Sequence, residues 1–152
     1  MVQHAPGVRT HLGFITDDSR FLYYLANDRA PDSFAVYRYD LERRTKELVF
    51  GEPGLWGIAD FQRDGRLLLA KATGSLTREY HEWDPRTRKL TPLLGVGEKE
   101  EYEAAYGAHP GELVVLTPKI GEFRRLYRFA GGKLTPISPE LRHDVESFDL
   151  DR

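Results

Sequence analysis

The residue types in this sequence that could do chemistry are five serines, Ser19, Ser33, Ser75, Ser138 and Ser147, and five histidines, His4, His11, His81, His109 and His143. A serine hydrolase of the α/β type holds its nucleophile in a G-x-S-x-G turn between a strand and a helix, and no such motif is present. Gly74-Ser75 comes nearest and reads as a hairpin loop. The histidines form no i,i+4 pair and no H-E-x-x-H zinc motif. His81 and Glu82 are neighbours on an expected strand, so their side chains point to opposite faces and cannot serve one site. His143-Asp144 reads as a polar loop rather than a catalytic pair.

The acidic stretch GEKEEYEAAYG carries Glu98, Glu100, Glu101 and Glu103 but lacks the D-x-D-x-D-G alternation that wraps oxygen ligands around calcium. It reads as a solvated loop face. There is neither a G-x-G-x-x-G nor a P-loop to cradle phosphate, and Gly131-Gly132 reads as a hairpin turn. With no cysteine, disulfide scaffolds, thiol nucleophiles and cysteine-based zinc sites are excluded. No cofactor or metal is expected, and the chain is expected not to be an enzyme.

Whatever these residues do, the elements that carry them repeat. TDDSRFLYYLA from Thr16, QRDGRLLLAKA from Gln62 and AHPGELVVLTP from Ala108 each pass from a polar or Gly/Pro turn into an apolar run. Asp17, Arg63 and His109 fall in register at intervals of 46 and 46 residues. A second set agrees, in which VYRYDLERRTKELV, EYHEWDPRTRKLTPL and RLYRFAGGKLTPI align Tyr39, Trp83 and Phe129, then Leu48, Leu90 and Leu134. A period of about 40 to 50 residues carrying four short strands is the mark of a β-propeller blade. In the middle repeat the strands are expected near Trp56 to Phe61, Leu67 to Lys71, Arg78 to Trp83 and Leu90 to Leu93. Asp64-Gly65 and Pro85 supply the turns between them.

The expected fold is therefore all-β, an antiparallel partial propeller of about three and a half four-stranded blades, with a general antiparallel sandwich as the alternative. Pro92 and Pro136 fall in the fourth strand of their repeats, where an edge strand tolerates a residue without a donor N–H. The blades are expected at about 11–51, 55–94 and 101–138, in a single domain over 1–152, with the first strand of a fourth at 144–150 and Arg152 matching Arg63. Closing a ring takes about four to eight blades, so the expected partners are a hydrolase domain, further blades, or a second copy, with peptides as candidate ligands. A net charge of −2 gives no broad attraction to nucleic acid or to an anionic membrane. Aromatic residues at repeating strand positions, Tyr23, Tyr24, Tyr37, Tyr39, Trp83, Tyr127 and Phe129, are expected to pack between blades. The N-terminus lacks a secretory pattern and no apolar run of about 18 residues is present, so a cytoplasmic location is expected.

Links between blades, Gly51 to Gly57, Leu94 to Ala104 and Ser138 to Asp144, should emerge on one face. Function on such scaffolds resides mostly in loops, which makes Trp56, Glu98, Glu101, Tyr102, Arg142 and His143 the candidate interaction residues. QRDGRLLLAKA resembles the blade turn of TolB-like and prolyl-oligopeptidase propellers. GEFRRLYRFAGGKLTPISPELRHDVESFDLDR is similar to the propeller of acylaminoacyl-peptidase and dipeptidyl-peptidase relatives in that family, and the resemblance spans about residues 11 to 152. It implies a non-catalytic propeller segment that limits access of peptides to a hydrolase domain and makes substrate or interdomain contacts. The alternative is an independent binding module that completes its ring by self-association. No catalytic residue is carried over by the resemblance.

Overall fold

A computed structural model of the chain describes residues 5–140 and 142–150. The described residues form twelve strands and no helix. The first sheet has the order β1(Thr10–Ile15), β2(Phe21–Ala30), β3(Ser33–Asp40), β4(Thr45–Phe50). The second runs β5(Trp56–Phe61), β6(Leu67–Ala72), β7(Arg78–Asp84), β8(Lys89–Leu94), and the third β9(Glu103–Tyr106), β10(Leu113–Thr117), β11(Arg125–Ala130), β12(Lys133–Pro136). Each sheet is a meander, with strands adjacent in sequence adjacent in space. The chain divides into two compact units, Met1–Ile58 and Ala59–Arg152, each with a cluster of buried residues.

The turns explain why the repeats fold alike. Ser19, Gly65 and Gly111 close the first hairpin of each sheet with φ of 57°, 91° and 79°. Glycine takes this left-handed conformation freely, whereas Ser19 carries a Cβ into it. The first hairpin compensates with hydrogen bonds from Thr16 Oγ1 to Asp18 Oδ1 (2.6 Å) and from Ser19 N–H to the Thr16 carbonyl (2.7 Å). At the third turn of the first sheet, the Asp40 carboxylate accepts the N–H groups of Glu42 and Arg43. Asp84 accepts that of Arg86 at the matching place in the second sheet. These backbone donors hold both carboxyls below the usual range. The third sheet has Ala130 there, and its turn shortens to Gly131-Gly132, both at positive φ as a two-residue hairpin of type I′ requires.

Pro92 and Pro136 lie on β8 and β12, the edge strands of their sheets, as their missing donors demand. Beside them the repeat contains a bulge. The β3–β4 register slips at Val49 and the β7–β8 register at Leu93, while Ile137 and Ser138 both direct N–H groups at the Leu126 carbonyl. Bulges at these outer edges twist the strands and leave a poor template for edge-to-edge pairing.

The segment 144–150, expected as the first strand of a further blade, forms no strand. Among the described residues no second strand lies beside it to complete a ladder, and its contacts run instead to Arg124. Arg124 N–H donates to Asp144 Oδ1 at 2.7 Å, and Val145 N–H to the Arg124 carbonyl at 3.1 Å. The match of Arg152 to Arg63 lies outside the described residues.

In the second unit, Leu68, Tyr80 and Leu94 of one sheet pack on Tyr102, Ala104, Tyr106, Leu113 and Val115 of the next. Polar bonds pin this apolar contact in register. Asp60 Oδ2 accepts the buried Tyr106 N–H at 2.7 Å, Tyr106 Oη donates to Glu82 Oε2 at 3.0 Å, and Tyr80 Oη donates to the Tyr102 carbonyl at 2.9 Å. Burial, reinforced by the Glu82 charge, pushes the Tyr106 hydroxyl far above its ordinary value, so it stays a donor. In the first unit, Tyr24, Ala26, Ala35 and Tyr37 form a separate cluster on one face of the sheet.

Candidate functional site

The candidate site is the loop end of the second unit, built from the β8–β9 link and the β10–β11 loop. In a meander the turn between the second and third strands and the link to the next sheet leave at the same end, which places residues 73–77, 95–102 and 118–124 together. Gly95 opens the link at φ 78°, where a Cβ would stand 2.8 Å from the Arg78 carbonyl oxygen and 3.0 Å from the Tyr102 ring. Only glycine lets the link pass this closely. The Glu98 N–H then bonds back to the Gly95 carbonyl and the Gly97 N–H to Glu79 Oε1, turning the chain.

Tyr102 is fully buried, and its hydroxyl meets the charged groups of the loop beneath the surface. It donates to Glu98 Oε2 at 2.5 Å and accepts from Lys119 Nζ at 2.9 Å, while Lys119 also pairs with Glu98. This triad joins the link to the β10–β11 loop. Lys119 and Tyr102 hold the Glu98 carboxyl below the usual carboxylate range, and burial followed by Glu98 pushes Tyr102 up to about 12. Glu98 and Tyr102 in turn raise Lys119, so the loop carries a fixed carboxylate, phenol and ammonium near neutral pH. An ion pair this exposed contributes about 1 kcal/mol at most, so the buried Tyr102 ring is the anchor.

Glu101 forms a lone bridge with Thr77, and its carboxylate lies 3.3 Å from Arg124 Nε. Arg124 Nη2 donates to Glu103 Oε1 at 2.7 Å. Arg124 therefore ties three segments, the link, the β10–β11 loop and residues 144–146, through its side chain and backbone. Three carboxylates of the acidic stretch are spent on Lys119 and Arg124, consistent with a structural loop face. Among the described residues no group of three or more His, Asp or Glu is arranged to hold a metal ion.

The structure thus joins Glu98 to Tyr102 and sets Glu101 on the adjoining Arg124. Trp56 is no surface residue. It is 5% exposed in the first unit, packs edge-on against Phe50 at 4.9 Å and donates its Nε1–H to the Pro53 carbonyl. The indole packs into the core rather than standing on the surface. Arg142 and His143 are exposed beside Asp144. Lys119 and Arg124 were missed because TPKIGEFRR carries no motif. The available signal was positional, since the β10–β11 loop leaves its sheet at the same end as the links.

His81 Nε2 lies 3.5 Å from Glu79, two residues away on the same face, whereas Glu82 points oppositely to Tyr106 and Arg66. His109 Nδ1 meets Glu112 Oε2 at 2.9 Å across its own turn. Ser33 Oγ accepts the Gly54 N–H and Ser138 Oγ the Leu126 N–H, both structural roles.

No family model matches the sequence, and no curated protein matches it. Solved structures do match in shape. TolB from Acinetobacter baumannii superposes with a TM-score of 0.65 at 20% identity, over 87% of this chain and 33% of that one. A Mycobacterium tuberculosis puromycin-hydrolyzing peptidase does so with a TM-score of 0.57 at 16% identity, over 89% of this chain and 21% of that one. The fold is that of a partial β-propeller. The chain spans about a third or less of the length of either relative in structure.

Proposed function

We propose that this partial propeller is a non-catalytic interaction scaffold of the kind found in prolyl-oligopeptidase-family serine peptidases, of the acylaminoacyl- or dipeptidyl-peptidase type. Its role is to restrict the access of peptides to a hydrolase domain. The observation that carries this reading is the loop end of the second unit. The Glu98–Tyr102–Lys119 triad and the Arg124 node fix two loops from successive sheets, while Leu76 and Ile120 remain exposed on the hairpin turns at that end and Val96 on the link. A surface of fixed charges and projecting aliphatic groups suits recognition of an extended peptide, whose binding then costs little loop ordering. The likeness in shape to a peptidase of which this chain covers 21% supports a non-catalytic role.

The test uses the purified chain and tryptic peptides of casein. The expected results are amide resonance shifts confined to residues 95–102 and 118–124, their loss in Tyr102→Ala, and no peptide cleavage. Cleavage abolished by Ser75→Ala would overturn the non-catalytic reading, and shifts spread evenly over the chain would overturn the loop site.

A further inference from the structure

The β3–β4 turn of the first sheet and the β7–β8 turn of the second share one backbone but not one charge. The first reads Asp40-Leu41-Glu42-Arg43-Arg44-Thr45 and the second Asp84-Pro85-Arg86-Thr87-Arg88-Lys89. Each opens with an aspartate that accepts the N–H two residues on, Glu42 to Asp40 at 3.0 Å and Arg86 to Asp84 at 2.9 Å. Each closes with an arginine in the left-handed region, Arg44 at φ 55° and Arg88 at φ 54°. On this common frame the first turn balances Arg43 and Arg44 with Asp40 and Glu42. The second sets Arg86, Arg88 and Lys89 against Asp84 alone.

The carboxylates near the second turn are already committed. Asp84 holds the turn through the Arg86 N–H and lies 3.6 Å from the Arg86 guanidinium, a side chain that is 69% exposed. Asp64, on the β5–β6 turn, meets Arg66 Nε at 2.8 Å, and Glu82 lies 3.4 Å from Arg66 Nη1. The two turns adjoin, since a Cβ at Gly65 would stand 3.5 Å from Pro85 Cγ. Pro85 fixes its own φ and the Asp84 bond fixes the chain after it, so the exposed Arg86, Arg88 and Lys89 project from a backbone set in advance. In a chain of net charge −2, this is a compact cationic surface at the end of the second sheet opposite the 95–102 link.

The chemistry of the turn says what it fits. A guanidinium is a planar fork of donors that matches a carboxylate, and this chain uses the match at Arg38–Glu47, Arg66–Asp64 and Arg124–Glu103. Arg86 and Arg88, two residues apart with Lys89 beside them, offer the same fork outward. Nucleic acid fits less well, because neither turn holds an aromatic residue on which a base could stack and three cations are few for a phosphate backbone. The chain's own acidic stretch is not the partner, since Glu98, Glu101 and Glu103 are paired with Lys119 and Arg124.

We propose that the β7–β8 turn, through Arg86, Arg88 and Lys89, is a docking surface for an acidic segment of another protein, one with Asp or Glu in succession. It lies away from the loop end and does not depend on that end binding peptides.

The experiment is fluorescence anisotropy of labelled hexaglutamate with the full chain, beside hexaglutamine and oligothymidylate at the same salt. Saturable binding to hexaglutamate alone is expected, weakening as added salt screens exposed charges. Arg86→Glu with Arg88→Glu should reduce the affinity by about tenfold or more, because like charges then meet. Arg88→Gly removes one cation while relieving a left-handed residue, so it should weaken binding by about threefold with thermal stability held or raised. That variant separates lost docking from lost folding. Arg43→Glu with Arg44→Glu, at the matching turn of the first sheet, should leave binding unchanged. Absence of saturable hexaglutamate binding overturns the proposal, as does an equal loss in the Arg43 and Arg44 variant. Tighter binding of oligothymidylate would assign the turn to nucleic acid instead, and self-association at low salt that the Arg86 and Arg88 variant abolishes would assign it to a second copy; either result overturns it.

Discussion

Tyrosines line the cores of both units, but their hydroxyls are treated differently. In the second unit Tyr80 and Tyr106 each donate to an acceptor on the facing sheet, a carbonyl and a carboxylate. In the first unit Tyr37 turns to Asp28 of its own sheet, and Tyr24 finds no acceptor among the described residues. The contrast teaches that the same ring can serve in two ways. Where two sheets face each other, the hydroxyl fixes their register; in the cluster of the first sheet the ring serves by burial, and Tyr24, 2% exposed, buries its donor with no acceptor among the described residues.

The largest break in this comparison is expected from truncation in the paired core. Leu68 is fully buried, and Leu68→Ala should lower stability by about 2–5 kcal/mol in urea unfolding. Leu48→Ala, at a 39% exposed position on the edge strand β4, should change it by no more than about 0.5 kcal/mol. Equal losses would show that the edge position at Leu48 is packed as tightly as the core position at Leu68.

Next comes the bond that joins inner strands in the second unit. Asp60→Ala strands the buried Tyr106 N–H and should cost about 1–3 kcal/mol, with faster hydrogen exchange at Tyr106. Removing hydroxyls sharpens the contrast directly. Tyr106→Phe should lose about 0.5–1.5 kcal/mol, while Tyr24→Phe should leave stability unchanged or raise it, because its hydroxyl is buried without return. Equal losses in thermal unfolding would mean that Tyr24 has an acceptor after all.

The turns provide a smaller test. Ser19→Gly relieves a left-handed residue and should raise stability by about 0.5–1 kcal/mol, with Gly65→Ser lowering it by a similar amount. The smallest effect is in titration. Burial followed by a carboxylate hydrogen bond raises Tyr37 and Tyr102 to about 12 each. A phenol raised on folding lends stability that is complete below its unfolded pKa near 10 and is lost as the pH climbs from there through about 12. Phenolate absorbance should show both titrating late, and Glu98→Gln should bring Tyr102 earlier while leaving Tyr37 in place.

Much of the fold is legible in the repeated text. Asp64-Gly65, Pro110-Gly111 and Gly131-Gly132 announce turns because only certain residues take positive φ easily, and Pro92 and Pro136 announce edge strands because they lack a donor. The site is legible only in part. Glu98, Glu101 and Tyr102 are marked by a link of unusual charge, but their partners Lys119 and Arg124 lie some 20 residues downstream in a loop with no motif. Trp56 misleads because a link residue is expected at the surface, and nothing local reveals that Phe50 awaits its ring.

The sequence by itself determined the strands, the turns and the period, since these depend on φ preference, alternation and donor count within a few residues. Only the tertiary structure decided which tyrosine hydroxyls are satisfied and which carboxylates Lys119 and Arg124 neutralise. Those outcomes depend on pairings between residues far apart in the chain, such as Asp60 with Tyr106, whose energies exist only once the sheets have been brought together.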